Sequence, residues 1–354
     1  MITSKITGTG NYIPTIVQNN TDYLEQEFYS ENKKRFPNSN EIIIKKFKAI
    51  TGIEERRFLK EGMVSSDMAT IAAQEAIKDA GINMEELDYI IVAQNFGDIK
   101  YGNHQSAAIP SIASKVKHYL QIENPNCVAY DVVFGCPGWV EAVIQTHAFI
   151  KAGMAKKCLV IGSETLGRAS DPFDRDSMIY SDGAGACVIE ATEESSLGIL
   201  SHASQTFAKD EAFFLYMGAS YNPAMDQRID FMKMYGRKIY NFALSNVPNA
   251  MKMALDKSGK KIEDIDKILI HQANEKMDEA IIIRFYELFG KEMPADIMPM
   301  SIHKLGNTSV ATIPTLLDLI LKGNLKNHSI NEGDTIILAS VGAGMNVNAI
   351  VYQF

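Results

Sequence analysis

The sequence predicts an α/β protein built from two pseudo-symmetric halves, and three internal echoes carry that prediction. Ala76-Ile77-Lys78-Asp79-Ala80-Gly81, with the following Met84 to Val92, matches Ala254-Leu255-Asp256-Lys257-Ser258-Gly259, with Ile262 to Ile270, 178 residues later and without a gap. Leu159-Val160-Ile161-Gly162-Ser163 pairs with Ile336-Ile337-Leu338-Ala339-Ser340 at 177 residues, and Gly135-Cys136 with Gly306-Asn307 at 171. One short match would be coincidence. Three in the same order, at nearly one offset, point to a duplicated unit.

Each copy of the longest echo reads as an amphipathic helix closed by glycine, a short acidic turn and a buried apolar strand. Helices alternating with apolar strands imply mixed sheets covered by helices. A chain of 354 residues is too long for one small core, which places the halves at 1–195 and 196–354. Halves packed around a pseudo-twofold axis bring equivalent loops together. Val92 leads into Ala93 and its twin Ile270 into His271, while Cys136 and Asn307 are themselves twins. Cys136, His271 and Asn307 are therefore expected to gather at the junction.

Hydrophobic residues make up 46% and charged residues 22%, as in ordinary globular proteins. The net charge of −8 and the lack of a long basic run argue against nucleic acid as a partner. No apolar segment of signal-peptide length follows Met1 to Ile6, and no run of apolar residues is long enough for a membrane span. Cys127, Cys136, Cys158 and Cys187 are widely spaced, which speaks against a zinc site or a disulfide framework and fits a reducing cytoplasm.

Cys136 follows an apolar strand that stops at Gly135, and a helical pattern begins directly after it, with Pro137 suited to the first turn. The positive end of the peptide dipoles there lowers a thiol's pKa, so a nucleophilic thiolate is predicted; a buried structural cysteine is the competing reading. The other three cysteines lie in or beside apolar strand runs and read as core. His271 ends a strand, where α/β folds place functional groups, although a locally bonded histidine fits equally well. His303, near the Asn307 loop, is a candidate for supporting the site. Asn307 precedes an apolar helix and on position alone reads as its cap. Gly342-Ala343-Gly344 is either a tight turn or a backbone able to stabilise an oxyanion. Asp182-Gly183-Ala184-Gly185-Ala186 lacks the Lys-Ser/Thr ending of a phosphate loop, so a structural turn is expected.

Taken together these segments resemble the thiolase-like condensing enzymes, most closely β-ketoacyl-acyl carrier protein synthase III. The resemblance runs from Gly8-Thr9-Gly10 and Thr51-Gly52-Ile53 through the Cys136 segment, Asp171-Pro172 and Ser181-Asp182-Gly183. It continues through Met234-Tyr235-Gly236, His271-Gln272-Ala273-Asn274, Gly306-Asn307-Thr308-Ser309 and the turn at Gly342. It implies a thiolase-like fold of five layers, α-β-α-β-α, and a catalytic triad of Cys136, His271 and Asn307. It also implies an oxyanion hole from the amides of Cys136 and Ala343, and no metal or redox cofactor. The implied reaction is acyl transfer to Cys136, then decarboxylative condensation with malonyl-acyl carrier protein, in fatty-acid or related polyketide-like biosynthesis. Condensation of two β-ketoacyl chains, as in dialkylresorcinol or aryl-polyene synthesis, and acyl transfer without decarboxylation are the alternatives.

The tryptophan and arginine that help hold coenzyme A in familiar members fall on Lys46 and Ile50, whereas Arg168 matches another coenzyme A-contacting arginine. Lys276 occupies the family's carrier-protein docking position, and Arg284 lies on a similar helix face. The resemblance further implies a homodimer that takes acyl-CoA or acyl-carrier-protein donors. The Phe-, Tyr- and Met-rich stretch 207–235 reads as core packing rather than as the lining of an acyl channel.

Overall fold

The computed structural model of the protein describes residues 2–194 and 196–354; the boundary drawn between the halves, at residue 195, falls outside the described residues. Two main sheets repeat one plan. In the first, Thr3–Tyr12, Asp182–Thr192, Lys157–Thr165, Tyr89–Ala93 and Val128–Val132 lie side by side in that order. In the second the order is Gly198–Thr206, Asn346–Gln353, Thr335–Gly342 and Ile265–Ile270. Both begin with two antiparallel pairings and continue with a parallel one, so the echoed strands hold equivalent places.

Strand residues alternate between two cores, as a period of two requires. Ile91, Val160 and Cys187 face inward and meet Leu269, Leu338 and Ile350 of the second sheet across the helices Gly138–Lys151 and Thr312–Leu321. Ile90, Val92, Leu159 and Ile161 face outward against helices Ser65–Ala80 and Ile112–Tyr119. On the far side, Ile268, Ile270 and Ile337 pack against helices Gly236–Ser258 and Glu275–Glu287. The result is five layers, helix–sheet–helix–sheet–helix.

The predicted helix, turn and strand unit recurs as written. Helices end at Ala80 and Ser258, Gly81 and Gly259 take left-handed caps, and short acidic turns lead into strands starting at Tyr89 and Ile265. One expectation is corrected. Asp182 to Ala186 is not a turn but the start of strand Asp182–Thr192, buried on both faces. Its glycines serve packing: a Cβ on Gly185 would sit 2.6 Å from the Thr315 backbone nitrogen, so the central helix could not lie this close to a larger residue. No helix among the described residues is long and apolar enough to cross a membrane.

Candidate active site

The central helices bring the nucleophile and asparagine loops to the seam between the halves. Strand Val128–Val132 ends, the chain turns through Gly135 at φ +67°, and Cys136 and Pro137 precede helix Gly138–Lys151. Here the two halves touch backbone to backbone. A Cβ on Gly135 would lie 2.6 Å from Ala343 N, and one on Gly342 would lie 2.5 Å from Cys136 N, so the Cys136 and Ala343 amides are neighbours. The Asn307 loop is pinned to the other half: its N–H donates to Ile179 O and its carbonyl accepts from Ser181 N, both at 2.9 Å. Its side-chain oxygen accepts from Ser309 N at 2.8 Å, leaving the amide nitrogen as donor. Asn307 is not the helix cap expected of it: Thr308 and Ala311 stand at the helix starts, and the Asn307 oxygen makes only this local bond.

His271 ends strand Ile265–Ile270, and its N–H donates to Ala339 O at 2.9 Å. The next residue, Gln272, fixes the loop by donating to Pro299 O and accepting from Ser301 N and Ile302 N. Asn274 caps helix Glu275–Glu287 through Met277 N. The motif around His271 is therefore a frame for the imidazole and for the approach to Asn307.

Cys136, His271, Asn307, Ser309 and Ala343 all line one cavity of about 1410 Å³. Burial pushes His271 down to about 4, so the ring is neutral at ordinary pH, and its Nδ1 has no partner among the described residues. At the thiol, burial works against the helix terminus. Burial pushes Cys136 up to about 11, with the nearby Glu164 adding to the rise and a hydrogen bond from Ser309 opposing it. Cys136 lines the cavity, and the lost hydration of a thiolate opposes the pull of the helix terminus.

The other predicted residues scatter. Arg168 lies beside a smaller cavity of about 170 Å³, and its guanidinium donates to the carbonyls of Met63, Ile99, Leu59 and Lys60. Lys276 and Arg284 are exposed on helix Glu275–Glu287, with Arg284 also donating to Leu244 O. Lys46 and Ile50 line the main cavity. His303 pairs with Glu275 at the surface, 2.8 Å away, and does not line the cavity. The stretch 207–235 is divided: Phe231 is core, whereas Leu215, Tyr216, Met217, Met232, Met234 and Tyr235 line the cavity, so the core reading is corrected for that wall. Sequence reasoning missed Ser309, Asn95 and Glu164. Ser309 stood inside a recognised motif; Asn95 and Glu164 carry no local signal and meet the site only through the fold.

Fold and cavity together define the class: a thiolase-like condensing enzyme. Residues 130–207 match the family model described as 3-oxoacyl-[acyl-carrier-protein (ACP)] synthase III, and residues 255–354 match the model of its C terminal. The chain is 33% identical over 353 residues to a β-ketoacyl-[acyl-carrier-protein] synthase III 1 of Vibrio vulnificus, covering 99% of each protein. It is 31% identical over 359 residues to the corresponding protein of Koribacter versatilis, covering 99% of this chain and 98% of the relative. The crystal structure of 3-oxoacyl-[acyl-carrier-protein] synthase III from Aquifex aeolicus superposes with a TM-score of 0.81 at 32% identity, over 99% of this chain and 100% of that one. The chain belongs to the β-ketoacyl-acyl carrier protein synthase III family. It is an acyltransferase of condensing type, in fatty-acid or related biosynthesis.

Proposed function

We propose that Cys136 takes an acyl group from a thioester donor and that His271 and Asn307 then direct its decarboxylative condensation with malonyl-acyl carrier protein. The observation that carries this reading is the shared cavity lined by all three side chains and by Ala343. In the first half-reaction the Cys136 sulfur attacks the thioester carbonyl, and the carrier departs as its thiol. The malonyl thioester follows, its carbonyl oxygen held by His271 and the Asn307 amide nitrogen. Loss of carbon dioxide leaves the bond electrons in an enolate that these donors stabilise. The enolate carbon attacks the acyl-Cys136 carbonyl. The tetrahedral oxyanion, held by the amides of Cys136 and Ala343, collapses to the 3-oxoacyl product and frees the sulfur. A neutral imidazole suits this work, because a cation would stabilise the malonyl carboxylate that must be lost.

A cavity above the usual 300–1,000 Å³ of ligand pockets supports an acyl donor larger than acetyl, delivered by coenzyme A or carrier protein. Lys276 and Arg284 are the proposed docking cations for an acidic carrier protein, and Lys46, Arg237 and Lys238 add positive charge along the cavity. A cytoplasmic homodimer completes the reading, with each half of the chain carrying one thiolase-like unit. Family membership favours neither the joining of two β-ketoacyl chains nor acyl transfer without decarboxylation. The test is intact-mass detection of acyl-Cys136 across a panel of coenzyme A and carrier-protein thioesters, followed by carbon dioxide release from labelled malonyl-carrier protein. An acyl-enzyme that forms but releases no carbon dioxide would refute the condensation step.

A further inference from the structure

Beyond the helix terminus, neither His271 nor Asn307 hydrogen-bonds the Cys136 sulfur. Acyl transfer needs a thiolate, and burial raises the Cys136 thiol above its ordinary value, so a donor on the sulfur matters. Among the described residues the hydrogen-bond donor on Cys136 Sγ is neither His271 nor Asn307 but Ser309, whose Oγ lies 3.3 Å away. Ser309 is buried and held at φ +53°, a left-handed conformation that a non-glycine residue adopts at a cost. Asn307 Oδ1 accepts its N–H at 2.8 Å, and Asn95 Nδ2 donates to its hydroxyl at 3.4 Å. Asn95 is anchored in turn. Its N–H and Nδ2 both donate to Glu164 Oε2 at 2.9 Å, and its Oδ1 accepts from Gly135 N at 3.0 Å. One side chain thus ties the residue before the nucleophile to the hydroxyl beside the sulfur. Glu164 is fully buried, burial pushes its carboxyl up to about 8, and its charge, once formed, opposes the thiolate and leaves the Ser309 hydroxyl to favour it.

We propose that Ser309 is a further catalytic residue, its hydroxyl donating to the Cys136 sulfur to stabilise the thiolate during acyl transfer, while Asn95 and Glu164 are positioning residues. The inference rests on Cys136 being the nucleophile. As the sulfur–acyl bond forms and the acyl–carrier bond breaks, the proton lost from Cys136 ends on the departing carrier thiol. Ser309 keeps its own proton and shifts only its hydrogen bond, strongest while the sulfur is anionic.

The experiment is alkylation of the full-length protein by iodoacetamide from pH 6 to 10, with the adduct on Cys136 read by mass spectrometry. Two variants remove the hydroxyl: Ser309→Ala, and Ser309→Gly, which also relieves the left-handed backbone and so guards against misfolding. Glu164, Tyr180 and His271, the titratable groups around the sulfur, remain in both. Alkylation at pH 8 is expected to slow by about 10-fold or more in each variant, with the pH profile displaced upward. Asn95→Leu is expected to move the profile the same way. A wild-type profile in Ser309→Gly overturns the role of Ser309, and one in Asn95→Leu overturns that of its supports. Alkylation uses no acyl donor, so it judges Ser309 independently of whether carbon dioxide release bears out the condensation reading.

Discussion

Asn307→Asp separates the two half-reactions with the exchange of a single group. The oxygen that accepts Ser309 N at 2.8 Å is retained, so the loop keeps its local bond. The amide nitrogen becomes a second oxygen, which removes one of two proposed donors to the malonyl carbonyl. It also sets a carboxyl where Asn307 is 4% exposed and an enolate must develop. Loss of one such donor costs about 10²–10³ in rate, or roughly 2.7–4 kcal/mol, and a charged carboxylate can only add to that. Acylation of Cys136 draws on the Cys136 and Ala343 amides instead and is expected to fall by less than about 10-fold, or 1.36 kcal/mol, through the added charge near the thiolate. Single-turnover mass spectrometry measures acylation, and carbon dioxide release from labelled malonyl-carrier protein measures decarboxylation. Equal loss in both steps, or wild-type decarboxylation, would refute the assignment of Asn307 to the extender substrate.

Gly135→Ala forces a Cβ to within 2.6 Å of Ala343 N at φ +67°. It should cost about 1–2 kcal/mol in urea denaturation from the backbone alone and, by parting the oxyanion amides, about 10²-fold in acylation rate. Lys233→Met strands Asp171, whose carboxylate lies 2.5 Å from the buried ammonium, and should destabilise the protein by about 3–5 kcal/mol in the same assay. Burial raises Glu164 from 4.5 to about 8 and Asp182 from 3.8 to about 6, so the folded protein holds protons that the unfolded chain releases. The share of stability due to Glu164 should therefore fall as pH rises from about 6.5 to 8, above the range in which the lowered His271 acts in the opposite sense, and Glu164→Gln should flatten that slope in urea denaturation. Replacing Lys276 and Arg284 together by glutamate should raise KM for carrier-protein substrates and abolish its salt dependence, as measured by initial rates across ionic strength.

The duplication was legible because it is written in local patterns: a glycine cap, an acidic turn and an apolar strand, repeated at one offset. Asp182 to Ala186 misled because glycine serves two purposes, turning a chain and letting a helix lie against a strand, and the second depends on Pro314 and Thr315 far along the sequence. The cavity wall at Tyr216, Met217 and Met232 was read as core because apolar side chains carry no mark of whether protein or ligand will cover them. The setting of the Cys136 thiol was legible in part. A helix terminus is visible in sequence, but the depth at which it is buried is not.

That depth links the chemistry to the architecture. Cys136 lies at the seam because two α/β units, neither able to cover its inner face alone, bury those faces against each other and against the two central helices. Burial at the seam strengthens hydrogen bonds to an enolate or oxyanion, and the same burial disfavours the thiolate. A site this deep needs a donor on the sulfur that a shallow one, with water at hand, would not. The second unit places Ser309 on the sulfur, two residues beyond Asn307, the proposed donor to the extender substrate. Moving the sulfur toward solvent would ease its ionisation and weaken every later step, so the loop that carries Asn307 also has to carry the hydroxyl.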